Sequence, residues 1–433
     1  MNLAELQGEN LKRYIKDRVI EFKDHHSQEL RNAHTNMIME ASAGDRKAKL
    51  YIKECIRQEL IRTNPKYKED SEAKDIIDDI YATNWGLGIL EKYDTDDVDE
   101  LMIDGTRISI EKSGRVIDLP ERFASEEEAI NVIRRVLEFD NSIDISKKNP
   151  IRYAERKDGA RITASIPPVS KTPYLNIRKF ESFVPTTEKL LEVGTITPKM
   201  AEHIQMYVKG KANISIIGEM GSGKSTFAKW ALGFIPKGER VGILETVFEL
   251  NPEKLYPDLY FVQLREQEQI DVKLTDLFKL SLRQNVKRVL LGEMRSGEEV
   301  FQYIYACTRG HSGSIGTSHS LTAMSLLDDY ADMIVESGLS NNKEAMKERI
   351  AGAVDIVIKF RKLENGKRVC SSIEEVVRDS NGYRAVPIFM YEYDEENPSV
   401  DGRHVEMNKI SDSLKKKMNE YGIRQSEINK VLG

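Results

Sequence analysis

Residues 211–236 read KANISIIGEMGSGKSTFAKWALGFIP, and Gly218 through Ser225 fit the phosphate-cradling pattern G-x-x-x-x-G-K-[ST]. The flanks agree with it. Asn213–Ile217 is a short apolar, β-branched run that predicts a buried strand. Phe227, Trp230, Ala231 and Phe234 fall at helical spacing, and Pro236 stops the pattern. Gly218, Gly221, Ser222 and Gly223 let the backbone curl so that its N–H groups and a helix N-terminus face an anion. In such a loop Lys224 neutralises the β- and γ-phosphates, the Ser225 hydroxyl holds Mg²⁺, and Thr226 continues the first helical turn. A chance glycine-rich turn is the plainer alternative, but strand, loop and helix occur together. The stretch predicts a nucleoside-triphosphate site at the carboxyl end of a parallel strand.

Phosphoryl transfer also needs a carboxylate near the attacking water and groups that meet charge developing on the γ-phosphate. Arg288-Val289-Leu290-Leu291-Gly292-Glu293 is a buried strand followed by a glycine where an Asp is usual, then by Glu293. A glutamate there can polarise water and reach Mg²⁺, directly or through water. Ile243-Leu244-Glu245-Thr246-Val247-Phe248-Glu249 offers two more carboxylates. In an extended segment Glu245 and Glu249 share one side, but a turn between them is equally compatible, as are plain solvated positions. Arg309-Gly310-His311-Ser312-Gly313-Ser314-Ile315-Gly316-Thr317-Ser318-His319 reads as a glycine-serine loop carrying two histidines. No cysteine or acid joins them at metal-binding spacing. Histidine can instead donate to a γ-phosphate and register its presence.

The rest of the 433-residue chain divides into several domains by length and texture. With 40% hydrophobic and 31% charged residues it has the composition of a globular protein, and its net charge of −6 argues against a nucleic-acid surface. No apolar run approaches the roughly 18 residues that span a bilayer, and MNLAELQGENLKRY lacks the apolar core of a secretion signal. Cys55, Cys307 and Cys370 are too far apart for a C-x-x-C site and read as packing residues in a reducing compartment, so a cytoplasmic protein is expected.

Residues 1–80 form a charged helical extension, with stripes at Leu11, Ile15, Val19 and Phe22, and at Leu50, Cys55, Ile56, Leu60 and Ile61. Residues 81–185 mix short strands with a helix at Ser125–Phe139, where Ser125 and Glu128 suit a capping box. Strands are expected at 100–103, 107–111, 115–117, 160–166 and 174–180, with turns at Asp104-Gly105 and Ser113-Gly114. A linker and helices cover 186–200. Residues 201–393 alternate strand and helix, with strands at 214–217, 241–244, 260–264, 289–291, 355–361 and 368–377, the pattern of a largely parallel sheet. Residues 394–433 read as a tail with short helices at 411–421 and 426–432.

Together these segments resemble the type II and type IV secretion (traffic) ATPases, most closely the CpaF/TadA type of tight-adherence pilus machines. The markers are GLGILEKY (86–93), ELMIDG (100–105), DGARITASIPP (158–168), LNIRKF (175–180), GEMGSGKST (218–226), LETVFEL (244–250), RVLLGEMR (288–295) and RGHSGSIGTSH (309–319). The resemblance implies an α/β fold: a RecA-like P-loop motor domain preceded by an α+β PAS-like domain, assembled as a homo-hexamer that binds ATP and Mg between the domains. It matches Lys224 and Ser225 to the Walker A pair, Glu293 to a degenerate Walker B glutamate, Glu245 and Glu249 to the acidic box, and His311 and His319 to the His box. Arg178 matches an arginine that reaches the phosphates, Arg161 belongs to the same patch, and Arg283 sits where the family carries an arginine before Walker B. Thr246 departs from the family's usual Asp, and Asn285 from a common arginine. The implied function is a motor at the cytoplasmic face of the membrane, acting through a polytopic inner-membrane platform protein on pilins or secreted substrates, with no direct nucleic-acid contact. A conjugative DNA-transfer ATPase is the alternative; a nucleic-acid translocase and a non-hydrolysing nucleotide switch stand further off.

Overall fold

A computed structural model describes residues 8–21, 28–68, 72–112, 115–137, 144–179, 184–246, 248–267, 270–379 and 382–433. The chain forms two compact units, Met1–Ser182 and Phe183–Gly433. Phe22, the Ser113-Gly114 turn, the helix end at Phe139, the strand end at Phe180 and Val247 lie outside the described residues.

The first unit begins with helices α1 (Gly8–Glu21), α2 (Gln28–Ser42), α3 (Arg46–Thr63) and α4 (Glu72–Asn84). Leu11, Ile15 and Val19 on α1 meet Ala48, Ile52, Ile56 and Leu60 on α3 and Ile77, Ile80 and Tyr81 on α4 in one core. The expected α3 stripe is corrected at Leu50, which is 69% exposed. Two residues from inward-facing Ile52, it points to the opposite side of the helix.

A six-stranded antiparallel sheet follows, built from β1 (Glu100–Asp104), β2 (Arg107–Lys112), β3 (Arg115–Arg122), β4 (Ile151–Glu155), β5 (Arg161–Ser165) and β6 (Tyr174–Arg178) in the order β3-β2-β1-β6-β5-β4. Alternate residues such as Leu101, Ile103, Ile162, Leu175 and Ile177 pack on Val132, Ile133 and Val136 of α5 (Glu126–Leu137). Ser125 caps α5, accepting from Glu128 N at 3.2 Å, while the Glu128 carboxylate accepts from Ala124 N at 2.7 Å. The reciprocal bond thus lands one residue before the predicted box.

The second unit carries a nine-stranded sheet. Two helices, α6 (Thr187–Glu192) and α7 (Pro198–Lys209), precede β7 (Ile214–Gly218), which is buried along its whole length. Then come α8 (Lys224–Leu232), β8 (Arg240–Glu245), β9 (Tyr260–Arg265), α9 (Leu274–Leu282), β10 (Arg288–Leu291), α10 (Gly297–Thr308), β11 (Ile315–Ser318), α11 (Ala323–Glu336), α12 (Lys343–Ala351) and β12 (Ile356–Lys362). The strands β12, β7, β11, β10, β8 and β9 lie side by side and parallel, with β7 flanked by β12 and β11. Apolar residues of α7 and α8 cover one face, and those of α9, α10, α11 and α12 the other. The central strands β7 and β10, buried along their length, therefore read as largely apolar runs.

Two elements depart from expectation. The Gly-Ser segment before His319 holds a strand, β11, inserted between β7 and β10. Its small residues are a packing requirement, since a Cβ on Gly316 would run into Met294 and the Tyr303 ring. The segment after 394 is not helical alone. Beyond β12 the sheet continues antiparallel through β13 (Arg368–Asp379), the unforeseen β14 (Gly382–Tyr393) and β15 (Gly402–Glu406), and β15 lies in that segment. Helices α13 (Asp412–Glu420) and α14 (Gln425–Leu432) then bury Leu414, Met418, Ile428 and Leu432 in the α7–α8 core. Cys307 and Cys370 are buried and Cys55 half-buried, all as free thiols. Among the described residues no helix is long and apolar enough to cross a membrane.

Candidate functional site

The phosphate loop runs from the end of β7 to the start of α8. Gly218 has φ +142°, and a Cβ there would collide with the Phe360 carbonyl of neighbouring β12. Gly221 (φ +71°) and Gly223 (φ +99°) complete a backbone that L side chains rarely adopt. Gly223 is the N-cap of α8 and brings no capping side chain to its first turn. Ser222 is buried and turns inward, its hydroxyl donating to Glu219 O at 2.7 Å. Ser225 and Thr226, half-buried, occupy the first turn of α8.

Lys224 is 8% exposed. Its ammonium donates to Gly218 O at 2.8 Å and Glu219 O at 2.9 Å, and lies 3.4 Å from His319 Nδ1. Burial pulls its pKa down, while Glu293, Glu249 and Glu219 pull it up without cancelling the shift. On the other side of the His319 ring, Nε2 bonds Glu293. The tautomer protonated at Nε2 satisfies both neighbours, with Nδ1 accepting from Lys224 and Nε2 donating to the carboxylate. This convergence follows from register. Ser318 pairs with Ile217, so the residue after β11 sits beside the loop after β7.

Glu293 lies two residues beyond the end of β10, which pairs with β11. Burial raises its pKa, but hydrogen bonding and charge from Arg295, then His319, hold it below the ordinary carboxylate value. Its turn is pinned on three sides. Met294 N donates to Thr317 O at 2.8 Å, Gly292 N to Leu244 O at 2.9 Å, and the buried Glu299 carboxylate accepts from Ser296 N at 3.1 Å. The glycine in the expected Asp position has a steric reason, because a Cβ on Gly292 would sit 3.0 Å from Glu245 Cγ.

A turn does intervene in the acidic stretch. Glu245, 2% exposed, accepts from Glu249 N at 2.9 Å and Leu250 N at 3.0 Å. It holds the turn, while Glu249 is exposed and contributes to the field at Lys224. A Mg²⁺ ion fits this oxygen-rich edge: Ser225, Glu249 and Glu293 are hard donors at the carboxyl end of the sheet. Such an ion needs few protein ligands and takes phosphate and water oxygens for the rest. Among the described residues no three His, Cys, Asp or Glu side chains form a metal cluster by themselves.

Other predicted residues lie elsewhere. His311 precedes β11 by four residues, at the amino end of the parallel strands, opposite the loop. Its half-buried ring has its pKa lowered, first by burial and then by Lys287 and Lys211, despite a hydrogen bond to Val286. The structure does not bring it together with His319 beside the loop. Arg283, exposed, caps the carboxyl end of α9 on the same amino side of the sheet. Arg161 and Arg178 face each other across β5 and β6 in the first unit, with Arg178 Nε 3.3 Å from Glu100.

One contact had no signal in the motifs. Arg368, at the start of β13, donates from Nε to Gly221 O at 2.9 Å. Its reach depends on β12 lying beside β7, a pairing of residues far apart in sequence, and a lone arginine opening the next strand says nothing of that.

The family model for type II/IV secretion system proteins matches residues 87–413. The chain is 28% identical over 243 residues to a probable conjugal transfer protein, TrbB, of Sinorhizobium fredii, covering 55% of this chain and 71% of that one. It is 29% identical over 263 residues to the type IV secretion system protein VirB11 of Bartonella quintana, covering 52% and 73%. In fold it is similar to the X-ray structure of the Yersinia pseudotuberculosis ATPase DotB, at 15% identity and a TM-score of 0.50 over 79% of this chain and 82% of that one. The matched residues take in the glycine loop, the Glu293 turn and the His319 strand (87–413), and the chain belongs to the type II/IV secretion system protein family.

Proposed function

We propose that the second unit is an ATP-hydrolysing motor. The observation that carries this reading is the convergence of Lys224, His319 and Glu293 beside a glycine loop built for phosphate. Lys224 and the loop N–H groups bind the β- and γ-phosphates. Glu293 orients the attacking water and accepts its proton as the bond from γ-phosphorus to the β–γ bridging oxygen breaks. His319 would turn its Nε2–H from Glu293 to the γ-phosphate, and a Mg²⁺ ion, which Ser225 with Glu249 and Glu293 would hold, would supply charge neutralisation. Arg161 and Arg178 stay in the proposal as further cations for the triphosphate, and Arg283 as a cation from a neighbouring protomer, on the family resemblance alone.

The same resemblance supports a homo-hexamer at the cytoplasmic face of the membrane, with the first unit's sheet as its PAS-like domain. There it drives a polytopic platform protein that assembles pilins or exports protein, as in tight-adherence machines. A DNA-transfer role is the second reading, favoured by a relative described as a conjugal transfer protein. Steady-state ATP hydrolysis by wild type, Lys224→Ala and Glu293→Gln tests the enzymatic claim; wild-type rates in both variants would sink it. Affinity capture from membranes separates the cargo readings. Pilins and a polytopic membrane protein support assembly, and a relaxase supports DNA transfer.

A further inference from the structure

The tip of the phosphate loop is not held by packing, because a Cβ on Gly221 would meet nothing within 4 Å. Arg368 reaches it from the β12–β13 hairpin, with Nε 2.9 Å from Gly221 O. Its stem lies flat on Gly223, where a Cβ would sit 3.2 Å from Arg368 Cδ. Gly223 therefore serves two needs, a left-handed backbone and room for this arginine. A carbonyl drawn outward toward Arg368 leaves the loop N–H groups turned inward, toward an anion.

The same strand start is tied to the segment that leads into the motor. Thr195 Oγ1 donates to Arg368 O at 2.9 Å, and Cys370 N donates to Thr195 O at 2.9 Å. Thr195 is buried between α6 and α7. A second tie runs from α8 itself, where Trp230 Nε1 donates to Thr187 Oγ1 at 3.1 Å. Residues 187–195 are thus joined to both ends of the loop-and-helix unit that would bind phosphate.

We propose that Arg368 is a positioning residue that sets the phosphate loop and links its conformation to the lead-in segment around Thr195. This rests on the nucleotide-site reading of Gly218–Ser225. It assigns the lead-in segment as a place where nucleotide occupancy is felt, through two hydrogen bonds in series, Arg368 Nε to Gly221 O and Thr195 Oγ1 to Arg368 O.

Two substitutions isolate the hydrogen bond from the charge. Arg368→Gln keeps a nitrogen donor at the position of Nε, whereas Arg368→Met keeps the stem and removes the donor. Binding of a fluorescent ADP analogue should weaken about tenfold in Arg368→Met and less than about threefold in Arg368→Gln, the size of one lost hydrogen bond. The Met variant should raise KM for ATP more than it lowers kcat. Hydrogen exchange adds a readout that simple destabilisation does not mimic. ADP should slow exchange in residues 193–197 and 368–371 of wild type and Arg368→Gln, and this response should be lost in Arg368→Met at matched thermal midpoints. Equal weakening in both variants would mean the charge itself binds phosphate and would overturn a positioning role. Wild-type affinity in Arg368→Met, or an unchanged exchange response, would overturn the proposal while leaving the nucleotide site intact. A wild-type chain that binds no ADP or ATP would instead remove the site reading beneath it.

Discussion

Lys224 and His319, 95 residues apart in sequence, stand 3.4 Å from each other across the end of the parallel sheet, and His319 turns its other nitrogen to Glu293. One imidazole thus separates the cation proposed to grip phosphate from the carboxylate proposed to handle water. Replacing His319 with Ala should lower kcat for ATP by about 10²-fold, the scale of a lost polar group in the transition state, while nucleotide affinity changes by only a few-fold. Glu293→Gln should show the same split. Rapid-quench turnover beside equilibrium binding would decide it; equal losses in both would mean these groups act in binding rather than in chemistry.

Lys224 makes a contrasting case. Its ammonium is buried, and burial is the largest influence on its depressed pKa. Lys224→Met should abolish nucleotide binding while leaving the thermal midpoint measured without nucleotide unchanged or higher, since a desolvated cation is removed. A lower midpoint would show that its bonds to Gly218 O and Glu219 O outweigh the desolvation.

Glu245 and Glu249 looked alike in sequence, yet the structure separates them into a buried turn-holder and an exposed carboxylate. Glu245→Ala leaves two backbone N–H groups without their acceptor and should cost about 1–3 kcal/mol, read from denaturant unfolding. Glu245→Gln keeps an acceptor oxygen and should recover most of that stability together with turnover. Glu249→Gln should leave stability unchanged. Destabilisation by Glu249→Gln as large as that by Glu245→Ala would contradict this division.

The loop, the β10 strand and the carboxylate after it were legible in sequence because their chemistry is local: glycines, a lysine and an apolar run ending in Glu293. The strand β11 was not. Gly316 and its small neighbours are dictated by Met294 and Tyr303 on other elements, so period and apolarity say nothing of them. The two histidines illustrate the same limit. Their eight-residue separation suggested joint action, but a strand between them carries one to each end of the sheet. Arg368 and the strands β14 and β15 depend on hairpin pairings that no motif records.

Gly218 should be the least replaceable position of the loop. Its φ of +142° and the Phe360 carbonyl both oppose a Cβ. Gly218→Ala should cost about 2–4 kcal/mol by strain and collision, and should weaken nucleotide binding in parallel. Gly221→Ala faces open space and should lose less stability. A reversed order of unfolding midpoints would be inconsistent with the loop described.

The motor unit should also lose stability in mild acid through His203. Its ring is fully buried, 3.2 Å from Tyr207 Oη and edge-on to Phe389 at 4.9 Å. Burial lowers its pKa to about 4, with Glu406 opposing the shift and Lys199 and Lys409 reinforcing it. The unfolded chain takes up the proton near the ordinary value of about 6.5, whereas the folded protein does not until about 4. More protons are then bound by the unfolded state across that window. Stability is fully present above about pH 6.5, falls as pH drops toward 4, and changes no further from this group below it. The loss amounts to roughly 3 kcal/mol. His34, His311 and His404 are also held down by burial and act with the same sign, so the wild-type curve alone does not isolate one ring. His203→Gln keeps a polar partner for Tyr207 without a titrating ring. Urea midpoints at pH 7 and 4.5 should therefore differ less in His203→Gln than in wild type, and parallel pH dependence in the two would show that His203 does not carry it.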